Sequence, residues 1–519
     1  MSCSRPLAAL SLSFALALLP VCMGSPARAA ADNSDLAFSS AAWRIDLCAP
    51  ASVMTADDCK QSGTDKLLAE LDRALQAAVA YAPSNIKPLL KRDQAWFDEM
   101  ITAAAEQMPD SEQPADREAF AKMLRDRVTV LGQIQSGFGR AGLVGTWQDA
   151  FGSVTVTAAD NGAYRVAIAT DAIYGTEVQR RWTCQATALV RRGSDDWLSG
   201  EIAPEIPPEQ AAGGKDYKSP DAKPGPLVAI KLRRQGETMR IVVDENDSRT
   251  DTRPHCSHVQ PVTANYFASG PADTPAATDR IDTSFVVPTS DCTKPYSATD
   301  EEICADPELA DNDQRLNRDW KALLPRLDDA TRRALSDDQR LWVRAQMHEY
   351  PDELHPAMAK INSVMHYAGE ARNALLRLQR GRMALLEGFD ENRKGFGGIW
   401  LSYTAMVKVT QDEKGSVSAE GFKWFQGMWK EGCEYAIAGQ IKGGAFRADD
   451  KGQNDKGKNP DTLERDHAML IVNRLDDVFA GKRPPSDDED NQKCKRSPSA
   501  SSTARLFPAR PSPDLDNYP

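Results

Sequence analysis

Two stretches of the chain carry apolar residues at helical spacing. In the first stretch they are Leu68, Leu71, Leu75 and Ala78. In the second they are Leu309, Leu316, Trp320, Leu323 and Leu327. Intervals of three and four residues place such side chains on one face of a helix. We also predict a long helix over residues 116–135, another that ends near residue 386, and a capped helix start at Ser336-Asp337-Asp338-Gln339.

Alternating apolar and polar residues follow each helical stretch and predict antiparallel strands. After the first stretch, residues 154–156 and 164–168 alternate on either side of Asn161-Gly162, a dipeptide typical of tight hairpin turns. Further strands are predicted at 227–232, 239–243, 406–409, through Cys433 and Ile437, and at 468–472. Short strands with tight turns indicate a small antiparallel β-barrel or sandwich in each half.

The same landmarks occur in the same order in both halves of the chain. The matched positions are Gln94 and Gln339, Arg125–Val128 and Arg380–Met383, Gly137–Gly139 and Gly395–Gly397, Trp147 and Trp400, Cys184 and Cys433, and Cys256 and Cys494. Their offsets stay between 238 residues (Cys256 to Cys494) and 258 residues (Gly137 to Gly395). Chance does not keep so many landmarks in order. We therefore predict an α+β fold made by tandem duplication of a small disulfide-bearing helical domain followed by a small antiparallel β-barrel or sandwich.

These patterns predict six segments. They are a signal peptide at 1–29, a helical domain at 37–136, a β module at 137–270, a second helical domain at 281–392, a second β module at 393–508 and a disordered tail at 509–519. Each β module carries a polar, turn-rich insertion, at 203–226 in the first and at 442–461 in the second. Such insertions are typical of surface loops, where binding residues are often found.

The N-terminus predicts export. Arg5 precedes an apolar run from Leu7 to Met23, and Ala27-Arg28-Ala29 supplies small residues for cleavage. The run contains Pro20 and is short for a membrane span. We therefore expect a periplasmic or secreted protein with no membrane span.

The charge of the chain narrows the choice of partners. The formal net charge is −12, and removal of a signal peptide with two arginines makes it more negative. An acidic surface disfavours nucleic acids and anionic membranes. It is compatible with a cationic protein partner, and also with no role beyond solubility.

Export leaves eight cysteines, and an even number in an oxidising compartment predicts disulfides. The local pairing that treats both halves alike is Cys48–Cys59, Cys184–Cys256, Cys292–Cys304 and Cys433–Cys494. A structural zinc site is the alternative. It is disfavoured because the sequence contains no Cys-x-x-Cys.

One segment carries a family pattern. Cys292, Glu301-x-x-Cys304, Leu309-Ala310-x-x-Asp313 and Gln339-x-x-Trp342 occur in order within residues 284–345. This pattern resembles the N-terminal domain family of the LprI-type lysozyme inhibitors. Residues 44–100 match it in part, with Ala56 in place of the glutamate. The resemblance implies a small exported helical domain, and a lysozyme-like enzyme as a partner.

No catalytic, cofactor-binding or metal-binding signature is found in the sequence. His348-Glu349 has no second histidine at position 352, and Gly213-Gly214-Lys215 lacks the strand and helix of a phosphate loop. The acidic run from Asp244 to Asp247 lacks the turn glycine of a calcium loop. We therefore predict a protein that is not an enzyme and needs no cofactor.

An aromatic patch at residues 422–429 is the candidate partner-binding site. The pattern favours either a hairpin around Gln426-Gly427 that buries alternate residues, or an exposed anchor formed by Trp424, Phe425 and Trp429. Our leading hypothesis is an exported protein that blocks a peptidoglycan-cleaving enzyme or toxin. The alternatives are an envelope assembly protein and a cell-wall hydrolase whose paired acids converge only in the fold.

Overall fold

Four helices open the fold, and the apolar spacing explains which faces they bury. In a computed structural model, the described residues are 47–48, 54–106, 114–173, 181–194, 196–205, 228–243, 262–270, 284–347, 372–373, 375–425, 428–442, 445–448, 462–473 and 503–516. The helices are α1 (Ala56–Ser62), α2 (Thr64–Tyr81), α3 (Lys87–Glu106) and α4 (Pro114–Gly137). Leu71 and Ala78 of α2 are buried in one core with Phe120 and Leu124 of α4. The long helix predicted over 116–135 is therefore confirmed as α4.

The first eight strands form a closed antiparallel barrel in sequence order. They are β1 (Gly145–Gln148), β2 (Gly152–Ala158), β3 (Tyr164–Ile173), β4 (Arg181–Arg192), β5 (Leu198–Glu205), β6 (Val228–Gln235), β7 (Thr238–Val243) and β8 (Ala264–Ser269). Asn161 and Gly162 turn the chain between β2 and β3 with positive φ angles of 59° and 70°, as the hairpin pattern predicts. Trp147, Val154, Val166 and other alternate residues fill the interior.

Four more helices lead into the second sheet. They are α5 (Ala298–Ala305), α6 (Pro307–Leu323), α7 (Asp329–Met347) and α8, whose described residues are 375–387. Ser297 and Asp300 form a capping box at the start of α5. The prediction of a helix start at Ser336 is wrong, because α7 begins at Asp329, after Asp328 accepts hydrogen bonds from the backbone of Ala330 and Thr331. Ser336 lies inside the helix and donates to the carbonyl of Arg332 instead.

The second sheet repeats the eight-strand plan. Its strands are β9 (Gly398–Leu401), β10 (Ala405–Gln411), β11 (Ser416–Phe425), β12 (Met428–Lys442), β13 (Ala445–Ala448), β14 (Thr462–Asp466), β15 (Met469–Asn473) and β16 (Thr503–Ala509). Antiparallel pairing runs from β13 through β12, β11, β10, β9, β16 and β15 to β14, and the two edge strands lie against each other. The sheet is therefore barrel-like. Strand β13 lies within the insertion predicted at 442–461, so that loop is shorter than its polar sequence suggested.

The prediction of a disordered tail at 509–519 is wrong for residues 509–516, which are ordered. Residues 503–509 form β16, which pairs with both β9 and β15 in the middle of the sheet. A short helix, α9 (Pro513–Asp516), follows, and Leu515 is only 2% exposed in the second helical core. The proline-rich composition suggested disorder, but the buried apolar residues Leu506 and Phe507 insert the strand. Residues 517–519 lie outside the described part of the chain.

Two of the predicted disulfides are present, one near the start of each helical region. Cys48 bonds to Cys59 across 11 residues, and Cys292 bonds to Cys304 across 12. The pairs Cys184–Cys256 and Cys433–Cys494 stay predictions, because Cys256 and Cys494 lie outside the described residues. The predicted signal peptide and most of the first polar insertion also fall outside them. No helix within the described ranges is long and apolar enough to cross a membrane.

The same contacts surround the first strand of both sheets. The Trp147 indole nitrogen donates to the Leu143 carbonyl at 2.8 Å, and that of Trp400 donates to the Phe396 carbonyl at 2.7 Å. Two arginines lie over each indole ring, Arg140 and Arg234 in the first sheet and Arg393 and Arg465 in the second.

Two glycines also recur, and they correct one matched landmark. Gly145 and Gly398 have positive φ angles of 125° and 119°, and a Cβ at either would meet the Arg140 or Arg393 guanidinium group. Three residues before each stands another glycine with positive φ, Gly142 at 75° and Gly395 at 70°. The conformational counterpart of Gly395 is therefore Gly142, not Gly137 as the Gly-Phe-Gly motif suggested.

Candidate functional site

Buried ion pairs join the first half of the chain to the second. Arg240 of β7 is fully buried and donates to Glu302 Oε1 at 2.5 Å and to Asp306 Oδ2 at 3.1 Å. Arg92 of α3 pairs with the other oxygen of Glu302. Since Glu302 ends up between two arginines from the first half, the second helical region is fixed directly on the first barrel.

Further contacts extend this cluster along the start of α6. Arg372 donates to Asp306 at 2.6 Å and to Glu308 at 2.5 Å. Lys231 of β6 donates to Glu308 at 2.5 Å. We call the cluster of Arg92, Lys231, Arg240, Glu302, Asp306, Glu308 and Arg372 the junction network. Every charge in it has an opposite charge within hydrogen-bond distance, which offsets the cost of burial.

The junction network keeps its carboxyl groups ionised. Burial favours the protonated form of Glu302, but Arg240 and Arg92 outweigh it and lower the pKa of that carboxyl. Arg372 and Arg240 do the same for Asp306, and the pKa of Glu308 is lowered by Arg372 and Lys231. Groups of this kind stabilise the folded state above their ordinary pKa and lose that effect as the pH falls.

Glu308 gives this pH dependence a test. We expect Glu308→Gln to lower the free energy of unfolding by about 1–3 kcal/mol at pH 7, because it weakens charge-assisted hydrogen bonds. The difference from the natural protein should shrink as the pH falls from about 5 towards 3, through the ordinary glutamate pKa of about 4.3 and below it. Urea unfolding at both ends of this range measures it. A difference that stays constant or grows on acidification contradicts the assignment.

The residues of the family pattern hold the second helical region together. Leu309 and Ala310 are fully buried, and Asp313 accepts hydrogen bonds from the backbone and hydroxyl of Thr289 at 2.6 Å each. Gln339 accepts one from Arg382 at 2.6 Å, and Trp342 is 4% exposed beneath the same guanidinium group. These positions therefore build the domain. Leu309, Ala310 and Trp342 are buried, while Asp313 and Gln339 are half-buried.

The predicted aromatic anchor lies on the hairpin of β11 and β12. Trp424 and Phe425 end β11, and Trp429 lies near the start of β12, where the register shifts between Trp424 and Phe425. Strand β10 begins at Ala405, which pairs with Lys423, so Trp424 and Phe425 continue past it. The backbone thus brings the three residues to one end of the hairpin. Their side chains, and the turn at Gln426-Gly427, lie outside what the structure describes.

A cavity of about 330 Å³ lies between the first helices and the first barrel. Its polar lining includes Arg127 of α4 and Asp149, which follows β1. Arg127 donates to Asp93 at 2.6 Å and to Gln94 at 3.0 Å, and Asp149 Oδ1 accepts from the backbone of Phe151 and Gly152. We call this space the Asp149 cavity. The sequence pattern matched Arg127 to Arg382 but predicted neither Arg127 nor Asp149 as part of a site, and the difference between Trp147-x-Asp149 and Trp400-x-Ser402 signals Asp149 alone.

The pKa of Asp149 is raised well above its ordinary value. Burial is the main cause, and the neighbouring charge of Asp93 adds to it. The two oxygens of Asp93 accept hydrogen bonds from Arg127 and from the backbone N–H of Ala150, so neither is directed at Asp149. Asp93 is absent from the cavity lining, whose carboxyl groups are those of Asp149 and Asp126.

Comparison with known proteins identifies one region. The family model "Lysozyme inhibitor LprI" matches residues 292–382, from the first cysteine of the pattern to the arginine that contacts Gln339 and Trp342. No curated protein and no solved structure matches the chain. A second copy at 37–136 stays a prediction. Residues 292–382 therefore form an LprI-type lysozyme inhibitor domain within this longer chain.

Proposed function

We propose that this chain is an exported, non-enzymatic protein that binds a cationic peptidoglycan-cleaving enzyme and blocks it. The observation that carries the proposal is the LprI-type domain at residues 292–382. The description of that family is that of a lysozyme inhibitor. The net charge of −12 supports a cationic partner, because opposite charges speed the encounter of two proteins.

We further infer that the chain arose by duplication of a unit with helices first and an eight-stranded sheet second. This is supported by the paired contacts of Trp147 and Trp400, and by a second set on the helices. Arg127 contacts Asp93 and Gln94, and Arg382 contacts Asp338 and Gln339 through the same kinds of atoms. In both sets the aspartate also accepts a backbone N–H from the β module.

Within this proposal, the end of the β11–β12 hairpin is the surface that enters the partner. Most of the junction network (Arg92, Arg240, Glu302, Asp306 and Arg372) and the apolar residues of the family pattern (Leu309, Ala310 and Trp342) are buried, so they are not available to a second protein. The hairpin continues past β10 and carries three aromatic residues, a type enriched among the residues that dominate binding energy. Occlusion of an enzyme cleft by such a projection needs no chemistry from the inhibitor.

A binding and turnover assay with a cationic lysozyme tests the proposal. We expect the purified chain to bind the enzyme at low salt, to slow cleavage of peptidoglycan, and to bind more weakly as salt screens the charges. Binding to envelope fragments with no effect on the enzyme would favour an assembly protein instead. Failure to bind at low salt would exclude the charge-steered inhibitor.

Variants of the β11–β12 hairpin test whether it is the binding surface, independently of whether a lysozyme is the partner. We expect Trp424→Ser with Trp429→Ser to weaken binding by about 2 kcal/mol or more, roughly thirtyfold, if the hairpin is the anchor. The matched control is Trp182→Ser in β4 of the first barrel, which should leave the affinity unchanged. Equal affinity of the double variant and the natural protein would move the binding surface elsewhere while keeping the partner.

A further inference from the structure

The Asp149 cavity has the size and lining of a small-molecule site. Its volume of about 330 Å³ lies within the range in which proteins hold small ligands. Apolar side chains from α3 and α4 form much of its wall, including Phe97, Met100, Met123 and Val130. Arg127 and Asp149 are each only 2% exposed, so the polar groups are held in a largely apolar setting.

Each of these two polar residues keeps one buried atom unused. Among the described residues, none forms a hydrogen bond with Asp149 Oδ2 or with Arg127 Nη1. An unmade hydrogen bond at a buried polar atom costs about 1–3 kcal/mol. Arg382, which makes the same contacts in the second half, also keeps one guanidinium nitrogen without a partner among the residues that the structure describes, so the atom particular to this cavity is Asp149 Oδ2. A ligand that supplies a partner to Oδ2 would explain it.

The second half of the chain shows that folding does not require Asp149. Ser402 stands at the same place after β9, and its hydroxyl accepts from the backbone of Thr404 and Ala405. Asp149 Oδ1 makes the same pair of contacts with Phe151 and Gly152. A serine is therefore sufficient for the turn. What Asp149 adds is the second carboxyl oxygen, Oδ2.

The charges around the cavity favour an uncharged ligand. The charge of Arg127 is already balanced by Asp93 at 2.6 Å. A carboxylate ligand would therefore lie near Asp93 and meet the exposed Asp126 at the rim without a free cation. An ammonium ligand would lie near Arg127, and the raised pKa of Asp149 would deprive it of a counterion. The remaining choice is a group that accepts hydrogen bonds without a net charge.

We propose that the Asp149 cavity binds an uncharged acylamide, such as the acetamido group of an N-acetylated sugar or of an N-acetylated peptide. Its carbonyl oxygen accepts from Arg127 Nη1 and from the protonated Oδ2 of Asp149, and its methyl group packs on the apolar wall. An amide carbonyl oxygen is a strong acceptor without a net charge, and its two lone pairs serve both donors. This site is independent of the enzyme-blocking surface proposed on the other half of the chain.

Titration calorimetry on the full chain tests this site with matched probes. N-acetylglucosamine is compared with glucosamine and glucose, which replace the acetamido group by an ammonium or a hydroxyl. N-acetylalanine amide represents the peptide source. We expect at least one acetamido probe to bind and the two other sugars to bind at least about tenfold more weakly, since a lost hydrogen bond leaves buried groups unpaired.

Two variants place the binding in the cavity. Asp149→Ser keeps the turn contacts that Ser402 makes and removes only Oδ2, so it should weaken the acetamido probe at least about tenfold. The reciprocal Ser402→Asp, in the other half, should change nothing. Ala169→Trp, at an exposed strand position that lines the cavity, should block entry without disturbing the core.

The possible results of these binding measurements either support the Asp149 cavity as a site or overturn it. Preference for the sugar or for the peptide probe identifies the source of the acylamide, and either supports the site. Tighter binding of glucosamine or glucose overturns the proposal, as does a failure of both acetamido probes to bind at millimolar concentration. Binding that is unchanged in Asp149→Ser and Ala169→Trp also overturns it, because the ligand would then lie elsewhere. Lysozyme binding by the same variants is expected to be unaffected.

Discussion

Replacing Arg240 with methionine is expected to lower the free energy of unfolding by about 3–5 kcal/mol. Arg240 is fully buried and contacts Glu302, Asp306 and Asn265. Methionine keeps much of the volume but removes the charge. Two fully buried carboxylates then lose a partner in a setting where water cannot replace it. Urea unfolding at pH 7 measures the loss.

The matched control is an arginine that makes an ion pair in water. Arg340 pairs with Asp337 on α7, and its side chain is 76% exposed. We expect Arg340→Met to change the stability by less than about 1 kcal/mol. Limited proteolysis adds a second measurement, because a weakened junction network should open the start of α6 to cleavage. Equal losses for Arg240→Met and Arg340→Met would show that the network contributes little.

The sequence predicts much of the secondary structure because local chemistry decides it. Periodic apolar residues form α2 and α4, and Asn161-Gly162 forms the turn between β2 and β3. These features depend on residues that are close along the chain. The family pattern likewise lies within one segment, and the LprI model confirms the domain there.

Other features were beyond the sequence because distant residues decide them. The tail at 509–516 is ordered by pairing of β16 with β9, more than 100 residues earlier. The helix start at Ser336 had the right residue types, but the preceding turn of α7 was already helical and Asp328 capped it. Composition and motif cannot show which of two local signals the tertiary structure uses.

The candidate sites also differ in whether their residues are close along the chain or far apart. Trp424, Phe425 and Trp429 are adjacent in sequence, so pattern alone brings them to one hairpin. The junction network joins Arg92 to Glu302, which are 210 residues apart, and no local pattern relates them. Asp149 is intermediate, because it can be found by comparing the two halves of the sequence. When Trp147 is aligned with Trp400, Asp149 matches Ser402.

Truncation of either central tryptophan is expected to cost about 3–5 kcal/mol, as is typical of fully buried aromatic residues. Trp147 and Trp400 are both 0% exposed, and each donates its indole N–H to a carbonyl four residues earlier. Replacing either with alanine leaves a cavity and removes the ring beneath two guanidinium groups. Hydrogen exchange measured peptide by peptide locates the damage, because it reports local opening.

If the two halves arose by duplication, Trp147→Ala and Trp400→Ala should lower the stability by similar amounts, each in its own sheet. Trp147→Ala should speed exchange in β1–β8 and leave β9–β16 protected, while Trp400→Ala should do the reverse. Trp182→Ala, in a strand of the first barrel, serves as a control for tryptophan loss outside the two central positions. If Trp400→Ala left the second sheet as protected as before, the shared contacts would not be what stabilises it. The case for two copies of one architecture would then rest on the order of the landmarks and on the paired contacts of Arg127 and Arg382.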